Sequence, residues 1–545
     1  MLPNQKLNCV IIGYNDFDFA RTAASQKGTQ SISGAYQEIK ANSVLLQGQR
    51  YTYMEVINQA IARAQGINPH LNVFEAPSLG SFYLKNFLHN KGLRAEVVNF
   101  FNYDKEKLAG LLGERPDAVA ITTTFYVDSA PIVEVVKFVR EHCPDTKVIV
   151  GGPYALNIAL DLDAETLEFM LQEIGADVYV VDSQGESTLA KVVECLRSES
   201  INGLRAIPNL LYTVDGITFT RTPRMPENNE LDESTIDWSL FDSHEIAPVS
   251  YLRTARSCPF ACTFCNYPVM AGEHVVSKIE NVEAQLKYLS SIGTTDIVFI
   301  DDTLNVPLTR FKNMLRMVIK NGLKFRWISF FRCSNADEEA IDLMKESGCV
   351  AVLLGIESGD PQILKYMNKA ATLERYRWGM ENLHRRGIAT FASLICGFPG
   401  ETQGSVMNTL NFIEEMAPTF FNVQLYYHDL RSPIHKKADE FQIQGAGYSW
   451  RHRSMDWREA IQWANYLYKN IRNSHFLPTH GFSLWAVSYL LSRGISLEQI
   501  KKFSNIIRPM LLSSLDDAPA DFSNVEAQLT ELFRNTSLLP RSRAL

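Results

Sequence analysis

The 545-residue chain has little that would place it in a membrane or on nucleic acid. No apolar run approaches the ~18 residues needed to cross a bilayer; the best stretch, Phe482 to Leu491, is short and interrupted by Ser and Tyr. The formal net charge of -8 is spread over interspersed acidic and basic residues, so no basic stripe awaits a phosphate backbone. The N-terminus runs from Met1-Leu-Pro-Asn-Gln-Lys into Cys9-Val-Ile-Ile-Gly without the layout of a secretory leader. No Gly-x-Gly-x-x-Gly follows the first sheet strand, which makes a nicotinamide dinucleotide a poor candidate. Cysteine is sparse. Of nine, six (Cys9, Cys143, Cys195, Cys333, Cys349 and Cys396) stand singly in apolar contexts, as reduced core cysteines do. The expectation is a cytoplasmic protein with neither a membrane nor a nucleic-acid partner.

The remaining three thiols are grouped. Cys258, Cys262 and Cys265 lie in Arg-Ser-Cys-Pro-Phe-Ala-Cys-Thr-Phe-Cys-Asn-Tyr-Pro, separated by three residues and then two. Three thiolates on one short loop suit a [4Fe-4S] cluster, each holding one iron and leaving the fourth iron open to substrate or cofactor. Zinc is the alternative, with His244 or His274 as a fourth ligand, although zinc sites usually draw on two separated pairs.

The chain divides by pattern. Residues 1–70 form an N-terminal extension, and 71–221 alternate β-branched runs with amphipathic segments, which predicts a parallel α/β sheet covered on both faces. Its expected strands are Leu71–Phe74, Ala95–Asn99, Ala118–Thr122, Lys147–Val150 and Val178–Val181, followed by a hairpin turning at Asp215-Gly216. A Pro-rich linker spans 222–248, and a second alternation of six units over 249–430 predicts a partial (β/α)6 barrel. Residues 431–545 read as a helical, aromatic-rich region with a frayed tail from Asn535.

Open α/β sheets bind ligands beyond the carboxyl ends of their strands. In the first sheet these tips carry Ser78, Gly80, Thr122, Thr123, Thr124, Gly151, Gly152, Pro153, Gly185 and Glu186, small or hydrogen-bonding groups that let a large ligand approach the backbone. In the barrel the Cys triplet follows the first strand, and later tips present Asp301-Asp302, Arg332, Glu357-Ser358 and Gly397-Phe-Pro399-Gly-Glu-Thr.

On these motifs the chain resembles the radical S-adenosylmethionine (SAM) enzymes, in the branch with an N-terminal cobalamin-binding domain. The resemblance implies a Rossmann-like cobalamin domain over 71–221, a radical SAM barrel over 249–430 and a helical substrate region over 431–545. It implies that Phe264 and Tyr267 accompany the cluster near the adenine, that Asp301 or Asp302 meets the SAM amino group, and that Arg332 meets its carboxylate. It further implies ribose contacts from Glu357 with Ser358, adenosine contacts from Gly397 and Pro399, and cobalamin contacts from the first-sheet tips. The Asp-x-His-x-x-Gly motif that ligates cobalt in mutases is missing, as is usual in this branch. The segment from Cys9 through Leu46 looks similar to the start of the P-methyltransferase-like subgroup of phosphinate pathways. The implied activity is methyl transfer from methylcobalamin to an unactivated carbon or a phosphinate phosphorus in natural-product biosynthesis. Alternatives are a non-methylating rearrangement, ring contraction or oxidation on the same machinery, or a non-catalytic cobalamin or iron-sulfur sensor. The implied partners are a flavodoxin- or ferredoxin-type reductant and a substrate that is a small metabolite, phosphinate, peptide or carrier-bound intermediate.

Overall fold

The computed structural model describes residues 6–15, 23, 33–198, 201–246, 248–478, 484–518 and 523–540. Part of the similarity at the N-terminus, Asp16 to Phe19, and Phe482 and Ser483 of the apolar run lie outside these residues. Two compact units result: 1–17 with 74–246, and 18–73 with 247–545.

The first unit is built on seven strands: β1 Cys9–Tyr14, β2 Ala95–Phe100, β3 Ala118–Thr122, β4 Lys147–Gly151, β5 Val178–Val180, β6 Leu210–Thr213 and β7 Phe219–Arg221. Their order is β2-β1-β3-β4-β5-β6-β7, parallel through β5 and antiparallel beyond. The strand expected at Leu71–Phe74 is instead irregular chain leading into a short 3-10 helix at Val73–Glu75. Its place is taken by Cys9–Tyr14, six consecutive buried residues suited to a central parallel strand. The extension therefore opens the sheet rather than preceding it. The 2-1-3 order reverses direction between β1 and β3, which is where a doubly wound sheet opens its ligand crevice. The hairpin loop is five residues, Val214 to Thr218, rather than two, because Asp215 Oδ1 accepts from the Ile217 and Thr218 amides at 2.9 and 2.8 Å.

The second unit contains the barrel sheet: β8 Val249–Leu252, β9 Asp296–Phe299, β10 Arg326–Phe330, β11 Cys349–Glu357, β12 Ala389–Cys396, β13 Phe420–Leu425 and β14 His475–Phe476. All are parallel and adjacent in chain order, so the six expected strands are joined by a seventh from the C-terminal region. That region is also not purely helical, since Gln444–Ala446, Ser449–His452 and Met455–Asp456 form a small antiparallel sheet.

Which face of the barrel sheet points inward follows from alternation. Trp327 Nε1 donates to Ser347 O at 3.1 Å, at the end of the covering helix Glu338–Glu346, while Arg326 Nη2 donates to Leu491 O and Phe330 meets Trp485 edge-on at 5.2 Å. Trp327 and Ser329 thus face the outer helices. Arg326, Ile328 and Phe330 face the C-terminal helix Leu484–Ser492, which fills part of the concave side.

Residues 33–73 pack with the C-terminal helices. Arg50, 5% exposed, donates to Asp517 Oδ1 at 2.7 Å and to Ser514 O at 3.0 Å, and Tyr36 also donates to Asp517. The tail expected to fray at Asn535 is held as far as Leu539, which binds Arg493 through backbone and side chain.

Candidate functional site

The cysteine loop follows β8 and is fastened from two sides. Thr263 donates through its amide to Met367 O at 2.8 Å and through Oγ1 to Tyr366 O at 2.9 Å, while its carbonyl accepts from Ile434 N at 2.8 Å. Asn368 donates to Ala261 O at 2.7 Å, and Asn266, directly after the third cysteine, donates to Asp429. Cys262 is buried, and Cys258 and Cys265 are half-buried, with Cys258 Sγ 3.4 Å from Thr303 Oγ1. Burial, opposed by a backbone hydrogen bond and reinforced by the neighbouring Cys262, Asp302 and Cys258, pushes the Cys265 thiol up to about 11. Three thiols gathered on one fastened loop suit bound metal, which each would ligate as the thiolate.

Among the described residues no three His, Cys, Asp or Glu side chains are arranged to hold one metal ion, as a zinc site requires. A four-iron cluster distributes its thiolates over separate irons, so the spacing suits it.

The two adjacent aspartates at the tip of β9 have different roles. Asp301, 2% exposed, accepts from Thr254 N, Ala255 N and Thr254 Oγ1 at 2.7, 2.9 and 2.6 Å. Its carboxylate is consumed in tying β9 to the end of β8, so the expected contact with a SAM amine does not fit it. Asp302 is accessible, with the Tyr267 side chain close by. Crowding by protein in the mouth, then the Asp301 charge, push its carboxyl up to about 6.

Arg332, 8% exposed, sits at the tip of β10 with its guanidinium 3.6 Å from the Phe260 ring centroid and Nε donating to Ser334 Oγ at 3.2 Å. Its Nη2 is buried and has no partner. A buried cationic donor of this kind fits an absent anion such as a carboxylate.

The tips of β11 and β12 depart from expectation. Glu357 pairs with Lys369 Nζ at 2.8 Å, and a Cβ at Gly355 would meet the two at 2.4 and 2.8 Å, so that glycine makes room for the ion pair. Ser358 is wholly buried, its hydroxyl 3.2 Å from Thr409 Oγ1 and accepting from Asp360 N, which leaves it a structural part of the turn. Gly397, at φ +93°, abuts Trp450 and Ala460, where a Cβ would approach to 2.6 and 2.7 Å. Glu401, 1% exposed, accepts from Gly397 N at 2.6 Å, and burial pushes its carboxyl up to about 8. Pro399 is buried in the same turn, whose Phe398 joins Tyr426, Trp450 and Phe441 in one apolar cluster; Phe264 packs on its edge with Lys369 Nζ 5.4 Å from its ring. The Gly-Phe-Pro-Gly-Glu element is thus chiefly a packed corner that holds the mouth in shape.

In the first unit most tip hydroxyls serve the tips themselves. Thr122 Oγ1 donates to Ile12 O and Gly13 O at 3.0 and 2.7 Å, tying β3 to β1 at the topological switch. Thr123 Oγ1 donates to Gly151 O at 2.8 Å and accepts from Tyr154 N, beside Gly152 at φ +101° and the exposed Pro153. Ser78 N donates to Asn99 Oδ1, and a Cβ at Gly13 would meet Ser78 Cβ at 2.6 Å, a close approach that the sequence reading missed. Gly80 and Thr124 are exposed. Gly185 and Glu186 begin the helix Glu186–Arg197, but Glu227 already accepts from its Ser187 and Thr188 amides at 2.9 and 2.6 Å and Asn229 donates to Glu186. That tip is closed by the linker. What remains open is apolar: Phe125 is 52% and Val127 71% exposed, and the Phe125 ring stands 5.7 Å from Tyr14 and 6.3 Å from Phe74. These rings carried no motif by which to find them.

Residues 252–413 match the Radical SAM superfamily, so the chain carries a radical SAM domain. An uncharacterized methyltransferase of Pyrococcus horikoshii is 28% identical over 312 residues, 55% of this chain and 64% of that protein. The anaerobic magnesium-protoporphyrin IX monomethyl ester cyclase of Cereibacter sphaeroides is 25% identical over 59% of this chain and 53% of its own. The chain thus matches less than two-thirds of the length of these curated relatives. The fold is similar to that of TsrM, a radical SAM methyltransferase of Kitasatospora setae solved with cobalamin and a [4Fe-4S] cluster, at TM-score 0.57 and 17% identity over 86% of this chain and 97% of that one. The cobalamin-dependent SAM radical enzyme OxsB aligns at TM-score 0.57 and 13% identity, over 84% and 82%. No described helix is long and apolar enough to cross a membrane.

Proposed function

We propose that this protein is a cobalamin-dependent radical SAM methyltransferase acting on an unactivated carbon or a phosphinate phosphorus in natural-product biosynthesis. The observation that carries the reading is the unpaired, buried Nη2 of Arg332 at the tip of β10, in the same barrel sheet whose first tip leads into the three-thiol loop. Cys258, Cys262 and Cys265 would hold the cluster, Arg332 the carboxylate of SAM and Asp302 its amine. Asp302 suits the ammonium because Asp301, its neighbour, is already spent on backbone amides. When bound, the cluster and SAM supply a hydrogen-abstracting adenosyl radical, and methylcobalamin supplies the methyl group.

Phe264 and the Gly397–Glu401 corner keep the loop and the mouth in register, a positioning role rather than a chemical one. In the first unit the crevice at the β1–β3 switch, with Gly80 and Thr124 and the Phe125 and Val127 surface, suits the broad corrin ring by shape and apolar contact. The reductant would be a flavodoxin or ferredoxin and the compartment the cytoplasm.

The test is anaerobic reconstitution followed by SAM cleavage. Native protein should release 5'-deoxyadenosine, and Cys262→Ala should lose both the cluster absorbance and the cleavage; cleavage that survives the substitution refutes the assignment. A second reading, a non-methylating reaction on the same machinery, is favoured by the cyclase among the relatives. Product mass separates the two, since only methylation adds a methyl group.

A further inference from the structure

β13 is an otherwise apolar strand, Phe420-Phe-Asn-Val-Gln-Leu, with amides at Asn422 and Gln424. Both fall on the same face. Across the sheet, Phe330 aligns with Leu353, Leu353 with Phe391 and Phe391 with Phe420, and one step toward the carboxyl ends Gly355 aligns with Ser393 and Ser393 with Asn422. Because Phe330 is inward, both rows are inward. The intervening residues confirm the parity: Thr390 meets His384 of the outer helix Leu373–Arg385, and Cys396 meets Ala460 of the outer helix Trp457–Asn470. The lumen thus has an apolar floor of Phe330, Leu353, Phe391, Phe420 and Trp485, with Asn422 in the row directly above it.

Asn422 is 2% exposed, and both its Oδ1 and its Nδ2 are buried without a hydrogen-bond partner. A carboxamide left open at both ends inside a folded core is destabilising, and such groups are rare. Nearby charge does not satisfy it: in its own row, the Gly355 position is occupied by the Glu357–Lys369 pair, which is internally neutral. An acceptor-only carboxylate would satisfy Nδ2 alone, and a cation Oδ1 alone. A neutral group presenting a donor beside an acceptor satisfies both.

We propose that Asn422 is a substrate-anchoring residue whose carboxamide pairs, donor to acceptor and acceptor to donor, with an amide group of a substrate whose apolar or aromatic body rests on the Phe330–Trp485 floor. This deepens the reading of the barrel as a radical SAM site and rests on it for the word substrate; the binding itself needs no radical chemistry. The substrate class is an amide, peptide or lactam, positioned above the floor. A period-2 pair of amides in a buried strand is the sequence signal that marks the position.

The experiment uses full-length, cluster-loaded protein with no SAM and two probes of nearly equal shape, benzamide and acetophenone. Ligand-observed NMR should show benzamide held about fivefold more tightly than acetophenone, the gain from one further matched hydrogen bond. Asn422→Leu should abolish that preference and, having no polar group to leave unsatisfied, should raise the ligand-free melting temperature by about 2 °C. Equal affinity of wild-type protein for the two probes, or a melting temperature unchanged or lowered by the substitution, overturns the anchoring role. Either result leaves SAM cleavage by native protein untouched, whereas loss of that cleavage with the probe preference intact refutes the radical reading and spares the amide site.

Discussion

The two seven-stranded sheets of this protein end in opposite ways. At the tips of the first, the hydroxyls of Thr122 and Thr123 are turned back onto Ile12, Gly13 and Gly151, the helix start at Glu186 is capped by Glu227, and the surface left open is Phe125 and Val127. At the tips and in the lumen of the second, polar groups are left unanswered: Arg332 Nη2 and both ends of the Asn422 amide are buried without partners, and three thiols share a loop. Asn15, just past β1, and Asp182 are exceptions in the first unit: Asn15 Oδ1 and Asp182 Oδ2 are buried without partners, and the Asp182 carboxyl is raised by burial and then, after a backbone hydrogen bond that lowers it, by the Glu227 charge. A sheet that satisfies most of its own tips binds by area and shape. A sheet that leaves charges and amides open binds by specific pairing, and carries the desolvation cost of those groups until a ligand arrives.

The largest effect expected from this contrast is at the thiols. Cys262→Ala should eliminate the visible absorbance of the cluster and all SAM cleavage while the protein still retains cobalamin, read from its own absorbance after gel filtration. Next is Arg332→Met, which keeps the contact with the Phe260 ring but removes the charge; equilibrium binding should show SAM held about 10- to 100-fold more weakly, the scale of a charge-assisted hydrogen bond of 1.5–3 kcal/mol. Gly80→Phe tests the other sheet. A Cβ at this exposed tip meets only Thr124 Oγ1, at 3.8 Å, so the ring should fill the crevice and cobalamin retention fall severalfold, with SAM binding unchanged. Loss of SAM binding in that variant would show that the division of labour is wrong.

A smaller effect concerns the packed corner at Glu401. Its carboxyl, raised from 4.5 to about 8 by burial, holds its proton in the folded protein at pH values where the unfolded chain has released it. The stability it lends is present below about pH 4.5 and is lost as pH rises through about 8. Glu401→Gln should therefore melt higher than wild type at pH 8 and lose that advantage at pH 5. A pH-independent difference would mean that Glu401 is ionised in the folded state.

Much of this was legible in the sequence because it is local. The spacing of Cys258, Cys262 and Cys265, the six barrel strands and the Arg332 tip are set by residues close together in the chain. What was not legible depends on pairing across the chain. The sequence offers both Cys9–Tyr14 and Leu71–Phe74 as strand-like runs, and the choice falls to the first because it can bury all six residues between β2 and β3. Asp301 and Asp302 are adjacent and alike, and only the fold shows that Asp301 is taken by Thr254 and Ala255. Glu357 read as a ribose contact because Lys369, twelve residues on, gave no sign of closing over it. The small residues of Gly397–Gly400 suggest ligand approach, yet Trp450 and Tyr366 fill the space beside them.

The barrel and the first sheet are proposed to serve one reaction. Reconstituted protein, reduced and supplied with methyl-labelled SAM and candidate amide substrates, should yield 5'-deoxyadenosine together with a product carrying the label. Release of 5'-deoxyadenosine with substrate turnover but no labelled methyl group in any product would contradict it.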